Sequence, residues 1–502
     1  KIGLIRNKST IYQERSYMDM IPHKQLSLAD IYEDCKEKFD DDKPLFLSLL
    51  ERHMDLDKFI PISFQNHYYA STGRPREYSL HAMLWALILQ RIFSIPTDSL
   101  LILLLNYSKA LRDFCGFTKV PDASKLTRFK QDFLPDLQSL FDSLVDVTEP
   151  ICKDISEELA SMTVFDTSGI EAFVTENNPK FINRIVNQLK MYARAKGFDK
   201  SYDPHKAAYG AMPSHASANS SVKQLYINGH FCYVYKFGMV TNGLGIVRDI
   251  RLYNDDFFKE HPEIVIEKKS DSPDEDKSVH DARLLIPTLV DYFKKHPVID
   301  PKTFLGDSAF DTISIYKSLF EELLFEKAYI PLNHRSKLEN SEYTINEDGV
   351  PCCPRDPALP MKAEGSAKRK NGLKRFKFIC PKIRWIKDDS GKYRRSCQCE
   401  NPCTDSPSGR MVYTYPEKDL RAYPGTIRGT EEWETNYKIR GCVEKTINQF
   451  KGCYCLAGRR TQNELTLHAD LLLSGITQLL TVVLAESIHE RKFIRSLKPL
   501  IA

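Results

Sequence analysis

The stretch Met162-Thr163-Val164-Phe165-Asp166-Thr167-Ser168-Gly169 decides the fold, because a second stretch far downstream repeats its logic. That second stretch is Thr303-Phe304-Leu305-Gly306-Asp307-Ser308-Ala309-Phe310-Asp311. In each, a short apolar run closes on an aspartate and passes into turn-forming residues, the pattern of a buried strand meeting a turn. Between them, residues 231–240 and 245–253 read as two more strands, and HDARLLIPTLVDYFKK (280–295) has a helical period. A helical pattern covers 313–324, and ETNYKIRGCVEKTINQFKG (434–452) is a readily helical stretch. Three strands, a helix, a strand and two helices place the chain in the α/β class.

The last of these helices carries Tyr437, Arg440, Glu444 and Lys451. Positions i, i+3, i+7 and i+14 fall on one stripe of an α-helix, since seven residues make almost two turns. An exposed Arg440–Glu444 pair at this spacing contributes only about 0.3–0.5 kcal/mol, so a solvated salt-bridge face is the plain reading. Likewise, a lone aspartate after a strand is usually a turn or helix cap. Together, however, Asp166, Asp307 and Glu444 give an acid on the first strand, one on the fourth and one on a late helix. That is the arrangement of a ribonuclease-H-like catalytic core. Magnesium takes few protein carboxylates plus water and phosphate oxygens. Two ions about 3.5–4 Å apart can activate the attacking oxygen and stabilise the leaving one. The nearest decoy, Asp311, is expected to cap the following helix.

The chain resembles bacterial insertion-sequence DDE transposases of the insertion-sequence-four-like superfamily, whose glutamate helix bears a Tyr-Arg-Glu-Lys signature. All four signature positions match, as Tyr437, Arg440, Glu444 and Lys451. VFDTSG (164–169) and LGDSAFD (305–311) resemble the family's two aspartate blocks. The tail from Gly458-Arg459-Arg460 through Asn463 to Ala469, with its apolar helix, resembles the last block. The likeness spans roughly residues 60 to 490 and is loosest in the middle insertion.

The resemblance implies a DNA transposase in which Asp166, Asp307 and Glu444 are catalytic and hold Mg²⁺ or Mn²⁺, as two ions. It also implies cleavage of the element's ends, cut-and-paste excision by a hairpin route, and strand transfer into target DNA. The partners implied are double-stranded DNA (the terminal inverted repeats and the target) and a second copy of the chain in a synaptic homodimer. The implied setting is the bacterial cytoplasm, at the nucleoid, without a membrane. Arg440 suits bidentate phosphate contact, Lys451 acts as a point charge, and Tyr437 can donate to a terminal phosphate.

Residues 1–155 read as an all-helical DNA-binding region, with helices at 79–92, 99–107 and 124–133 separated by Pro96, Gly116 and Pro121. The capped helix after Pro121 shows Lys125, Arg128 and Lys130, which suits helix-turn-helix reading of DNA. An ordinary bundle with solvated lysines is the alternative. The core then runs in two parts, 156–333 and 432–502. Residues 178–196 form a basic helical pattern with Arg184, Lys190, Arg194 and Lys196, either facing substrate or simply solvated. Residues 214–222 read as an exposed loop.

Residues 334–431 read as a β-rich basic insertion holding Cys352, Cys353, Cys380, Cys397, Cys399 and Cys403, six of the chain's 13 cysteines. Without a secretory context, clustered cysteines favour metal over disulfides. Cys353, Cys380, Cys399 and Cys403 could hold a structural Zn²⁺, though no CxxC knuckle is present. Reduced thiols are the alternative. Strand patterns at 375–379 and 411–415 flank basic, aromatic clusters around Lys368-Arg369-Lys370, Lys374-Arg375-Phe376-Lys377 and Tyr393-Arg394-Arg395. Such clusters neutralise phosphates and stack on bases. By resemblance Trp385 is the candidate for stacking a flipped base, with Trp433 next. Asp388-Asp389-Ser390-Gly391 reads as a hairpin turn.

With 502 residues the chain has material for a large core in two to four units. A formal net charge of +4 neither demands nor excludes DNA, so local clustering matters more. The longest apolar run, 471–485, falls short of the ~20 residues of a membrane span and reads as a core helix. No signal peptide is visible, and the opening at Lys1 rather than Met leaves room for an upstream segment. Two other functions remain open: a domesticated, non-catalytic DNA-binding derivative of the same fold, and a plain metal nuclease.

Overall fold

The computed structural model describes residues 44–501, except 72, 74, 200, 228–229, 265–278, 334–342, 347, 369–373, 416–419, 422, 459–460 and 462. The start of the helical region (1–43), Arg369, Lys370 and the Arg459-Arg460 pair therefore lie outside the described residues.

Helices α1 (Leu45–His53), α2 (Ile62–Tyr68), α3 (Leu80–Ile92), α4 (Asp98–Tyr107), α5 (Lys109–Cys115), α6 (Ala123–Asp132) and α7 (Leu134–Ile155) come first. Ser79, Thr97, Ser108 and Asp122 begin α3, α4, α5 and α6 by accepting from backbone N–H groups three residues ahead. Each such cap contributes about 1 kcal/mol. The short α8 (Glu157–Ala160) leads into the sheet.

The sheet is built from β1 (Met162–Glu171), β2 (His215–Ala216), β3 (Asn219–Ile227), β4 (His230–Thr241), β5 (Val247–Leu252), β6 (Thr303–Leu305) and β7 (Lys327–Tyr329). β1 is central, antiparallel to β4 on one side and parallel to β6 on the other. β7 extends the sheet parallel to β6, while β3 and β5 pair successive halves of β4. Two sequence expectations change here. Asp166 does not close its strand, because Thr167, Ser168 and Gly169 continue the ladder opposite Gly238, Phe237 and Lys236. And 214–222 is not a plain loop, since β2 and the start of β3 fall within it.

Between β1 and β2 lies an arm of two helices, α9 (Pro179–Lys196) and α10 (Pro204–Ala211). After β5 come α11 (Asp255–Glu260), α12 (Asp281–Lys295) and, beyond β6, α13 (Ile313–Lys317). Asp311 is not the cap of α13, which is Thr312. It is instead a buried acceptor, taking Arg421 Nε and Nη2 at 3.0 and 2.7 Å and the Tyr316 hydroxyl at 3.0 Å.

The insertion is a set of small sheets: β8 (Cys352–Cys353) with β9 (Asp356–Pro360), β10 (Lys362–Lys368) with β11 (Lys374–Ile379) and β14 (Met411–Thr414), and the hairpin β12 (Ile383–Lys387)–β13 (Tyr393–Cys397). It has its own apolar cluster of Val350, Met361, Phe376, Phe378, Val412 and Tyr423. The hairpin turns where expected, with Asp388 Oδ1 accepting from the Ser390 and Lys392 backbones.

The chain ends with α14 (Glu431–Lys438), α15 (Gly441–Asn448) and α16 (Glu464–Ser487). At 24 residues α16 is longer than its apolar run and, by length and composition, could cross a membrane. Protein surrounds it instead: α7, α3, α6 and β5 pack along it and bury Leu471, Leu472, Leu473, Ile476, Leu479 and Leu484. At about 1.5–3 kcal/mol per buried side chain, that contact is a principal source of stability. The helices before β1 thus share one continuous core with the sheet and α16.

Candidate active site

β1 brings Asp166 to the middle of the sheet, and the parallel register Val164↔Leu305 sets the chain after β6 beside it, where Asp307 stands. Asp307 begins the short helical turn Ser308–Phe310, accepting the Ala309 N–H at 2.8 Å. α15 packs across β1 and β4 through buried Cys442, Val443, Thr446 and Ile447, which turns Glu444 outward.

These three acids meet at Arg440. Its Nη2 lies 3.3 Å from Asp166 Oδ2 and 4.0 Å from Asp307 Oδ2, while Nη1 donates to Glu444 Oε1. The Arg440–Glu444 pair expected along the helix does form, but the same guanidinium also binds the strand acids. Burial, then Asp307 and Glu444, raise the Asp166 carboxyl to about 6 against the opposing pull of Arg440. Burial also raises Asp307. Burial thus disfavours the charged forms of both aspartates, a cost that a nearby positive charge would offset.

The signature stripe is not one continuous helix. After α14 the chain tightens, with Arg440 N donating to Tyr437 O and Cys442 N to Ile439 O, before α15 resumes. Residues Gln449–Cys453 then widen into a π turn. These adjustments place Lys451 over β1, where its ammonium donates to Ser168 Oγ at 2.7 Å. Burial lowers the pKa of that ammonium. Tyr437 stacks on Trp433, with centroids 4.8 Å apart and planes 18° from parallel.

Trp433, ranked second by the sequence, is thus the tryptophan beside the trio. Trp385 is exposed on β12, where Arg395 Cζ lies 4.9 Å from its ring centre. Lys125 and Arg128 border a cleft of about 290 Å³ with Arg76, Tyr68 and Tyr78. Lys130 is a correction: it is 1 % exposed and bonds Asp98 and Asp470, each at 2.9 Å. Arg91 also meets Asp470, at 2.5 Å, so Lys130 belongs to a buried ionic network rather than a DNA face.

The cysteines named for zinc lie near one another: Cys380 is close enough to Cys353, Cys397 and Cys399 to feel their charge. Cys403 and Cys353 are within hydrogen-bond reach of each other, with Cys380 nearby, although among the described residues no three acidic, histidine or cysteine side chains form a ready-made ion site. The carboxylate trio falls under the same statement, and its members converge on Arg440. Three carboxylates that share one cationic partner are a donor set of the kind hard divalent cations take.

Sequence reasoning missed Ser168, Lys236, His280 and Asp281. Lys236 pairs Asp281 at 2.5 Å, and His280 and Asp281 lie close enough to Asp307 to act on its charge. The only signal was His280-Asp281 at a helix start, indistinguishable from an ordinary cap.

Residues 33–132 match the profile of a family described as Transposase domain (DUF772). No curated protein matches the chain. Among solved structures, a piggyBac transposase synaptic complex with hairpin DNA aligns at 10 % identity and a TM-score of 0.35. That alignment covers 91 % of this chain and 80 % of that one, a likeness too remote to bear on function.

Proposed function

We propose that the chain is a DNA transposase of the DDE type, with a ribonuclease-H-like core, that cleaves the ends of its own element and joins them to target DNA. The observation that carries this is the meeting of Asp166, Asp307 and Glu444, from a central strand, its parallel neighbour and a crossing helix, at one guanidinium. The transposase-domain match at 33–132 supports it from a separate part of the chain.

Asp166, Asp307 and Glu444 are the groups that would hold divalent cations. When bound, these supply activation of the attacking oxygen and charge stabilisation of the leaving one. Arg440 offers a planar fork to a phosphate, and Lys451, held by Ser168, offers a second positive charge at the edge of β1. Tyr437, braced by Trp433, presents its phenol near the trio, where it can orient a terminal phosphate. Water serves as first nucleophile and the freed 3′-hydroxyl as second, because one arrangement of charges positions both. A basic α9, with Lys180, Arg184, Lys190, Arg194 and Lys196 and no acidic residue, supports a nucleic-acid partner, as do Lys125 and Arg128.

The test is to incubate the purified chain with duplexes taken from the DNA flanking its gene, with Mg²⁺, and score nicks, hairpins and joined products. Asp166→Ala, Asp307→Ala and Glu444→Ala are each expected to lower cleavage roughly a hundredfold or more while retaining end binding. Undiminished cleavage by Asp307→Ala would overturn the assignment. End binding without any cleavage by the unaltered chain would favour the non-catalytic derivative.

A further inference from the structure

Arg440 stands where the proposed chemistry needs metal. Its guanidinium is within 4.0 Å of an oxygen of every member of the trio. The carboxylates have few other hydrogen-bond partners: Asp166 Oδ1 accepts its neighbour's N–H from Thr167, and Asp307 Oδ1 accepts from Ala309. Arg440 therefore supplies the local positive charge. A divalent cation drawn to the same oxygens would compete with it for both space and charge.

Arg440 also keeps unused hydrogen-bonding capacity. Its Nε is buried without a hydrogen-bond partner among the described residues, so the fork is only partly satisfied there. It stands at the tightened junction of α14 and α15, and Gly441, which follows, has open space where a side chain would be. A guanidinium fork matches phosphate as well as carboxylate. Bound DNA thus offers it an alternative partner of the same geometry.

We infer that Arg440 is a placeholder: in the DNA-free protein it holds the three carboxylates and excludes divalent cations, and a phosphate of the bound DNA end draws it away to admit them. This rests on the DDE reading of the site and adds to it an order of assembly, DNA before metal. Because linkage is reciprocal, DNA must tighten metal binding by the factor with which metal tightens DNA binding.

The probe is Mn²⁺, titrated into the full chain and followed by the loss of its free-ion spin-resonance signal, with and without the flanking duplex. The unaltered chain is expected to bind Mn²⁺ weakly alone and roughly tenfold more tightly with duplex. Arg440→Ala and Arg440→Gln are expected to bind it roughly tenfold more tightly than the unaltered chain without DNA, and to lose most of the DNA effect. Adding Asp166→Asn to Arg440→Ala is expected to weaken Mn²⁺ binding again, locating the ion at the trio. Equal Mn²⁺ affinity in Arg440→Gln and the unaltered chain would overturn the placeholder, while cleavage by the unaltered chain would leave the DDE reading standing. Tighter Mn²⁺ binding by both variants without any cleavage by the unaltered chain would support the placeholder and defeat that reading.

Discussion

Asp166, the central acid of the proposed site, works against the fold that carries it. Burial first, and the neighbouring Asp307 and Glu444 after it, raise its carboxyl from 3.8 to about 6. The native state therefore keeps a proton that the unfolded chain releases at lower pH. Stability from this group is present at about pH 4, declines as pH rises towards about 6, and is lost above that. Asp166→Asn is accordingly expected to stabilise the protein at about pH 7.5, by on the order of 1–3 kcal/mol, and to leave it unchanged near pH 4. Thermal melts at the two pH values check this, and a lower melting point for the variant at pH 7.5 would contradict it. That Asp166, Asp307 and Glu444 belong together was legible in the sequence because each sits in a distinct local pattern, and they do converge at Arg440. Lys130 was not, since the spacing of charges along α6 does not say which face meets Asp98 and Asp470.

At the scale of elements, sequence read existence better than extent. The Ser79 cap and the stripe after it mark α3, and the 280–295 period marks α12. The length of β1 was hidden because Thr167-Ser168-Gly169 looks like a turn until β4 pairs with it. The tightening before Gly441 and the π turn at Gln449–Cys453 leave no composition signal, yet they aim Arg440 and Lys451. Packing demands are equally local. Gly475 of α16 lies so close to α7 that an added Cβ would sit 2.5 Å from Phe141 Cε2. Gly475→Ala is expected to cost about 1–3 kcal/mol by overpacking, seen as a lower denaturation midpoint. An unchanged midpoint would mean that the two helices separate freely.

The whole molecule is held together by contacts between distant parts of the chain. Arg91, Lys130 and Asp470 join α3, α6 and α16 in one buried network, each side chain nearly inaccessible. Asp470→Ala would leave two buried cations short of a carboxylate, and a loss of about 3–5 kcal/mol is expected in chemical denaturation. Asp470→Asn, which keeps the shape, should lose less; equal stability of all three proteins would dismiss the network. None of this could be read from the sequence, which divides the chain into a helical region and a core. Their shared interior appears only when α7 and β5 are seen against α16.

That shared interior has a consequence during synthesis. The helices made first cannot complete the burial of their apolar faces until residues 464–487 have left the ribosome, so the nascent chain carries an unfinished hydrophobic surface while the sheet and the insertion are being made. A product cut short before α16 would be a substrate for chaperones and proteases. Only chains that include α16 would then persist in the folded state.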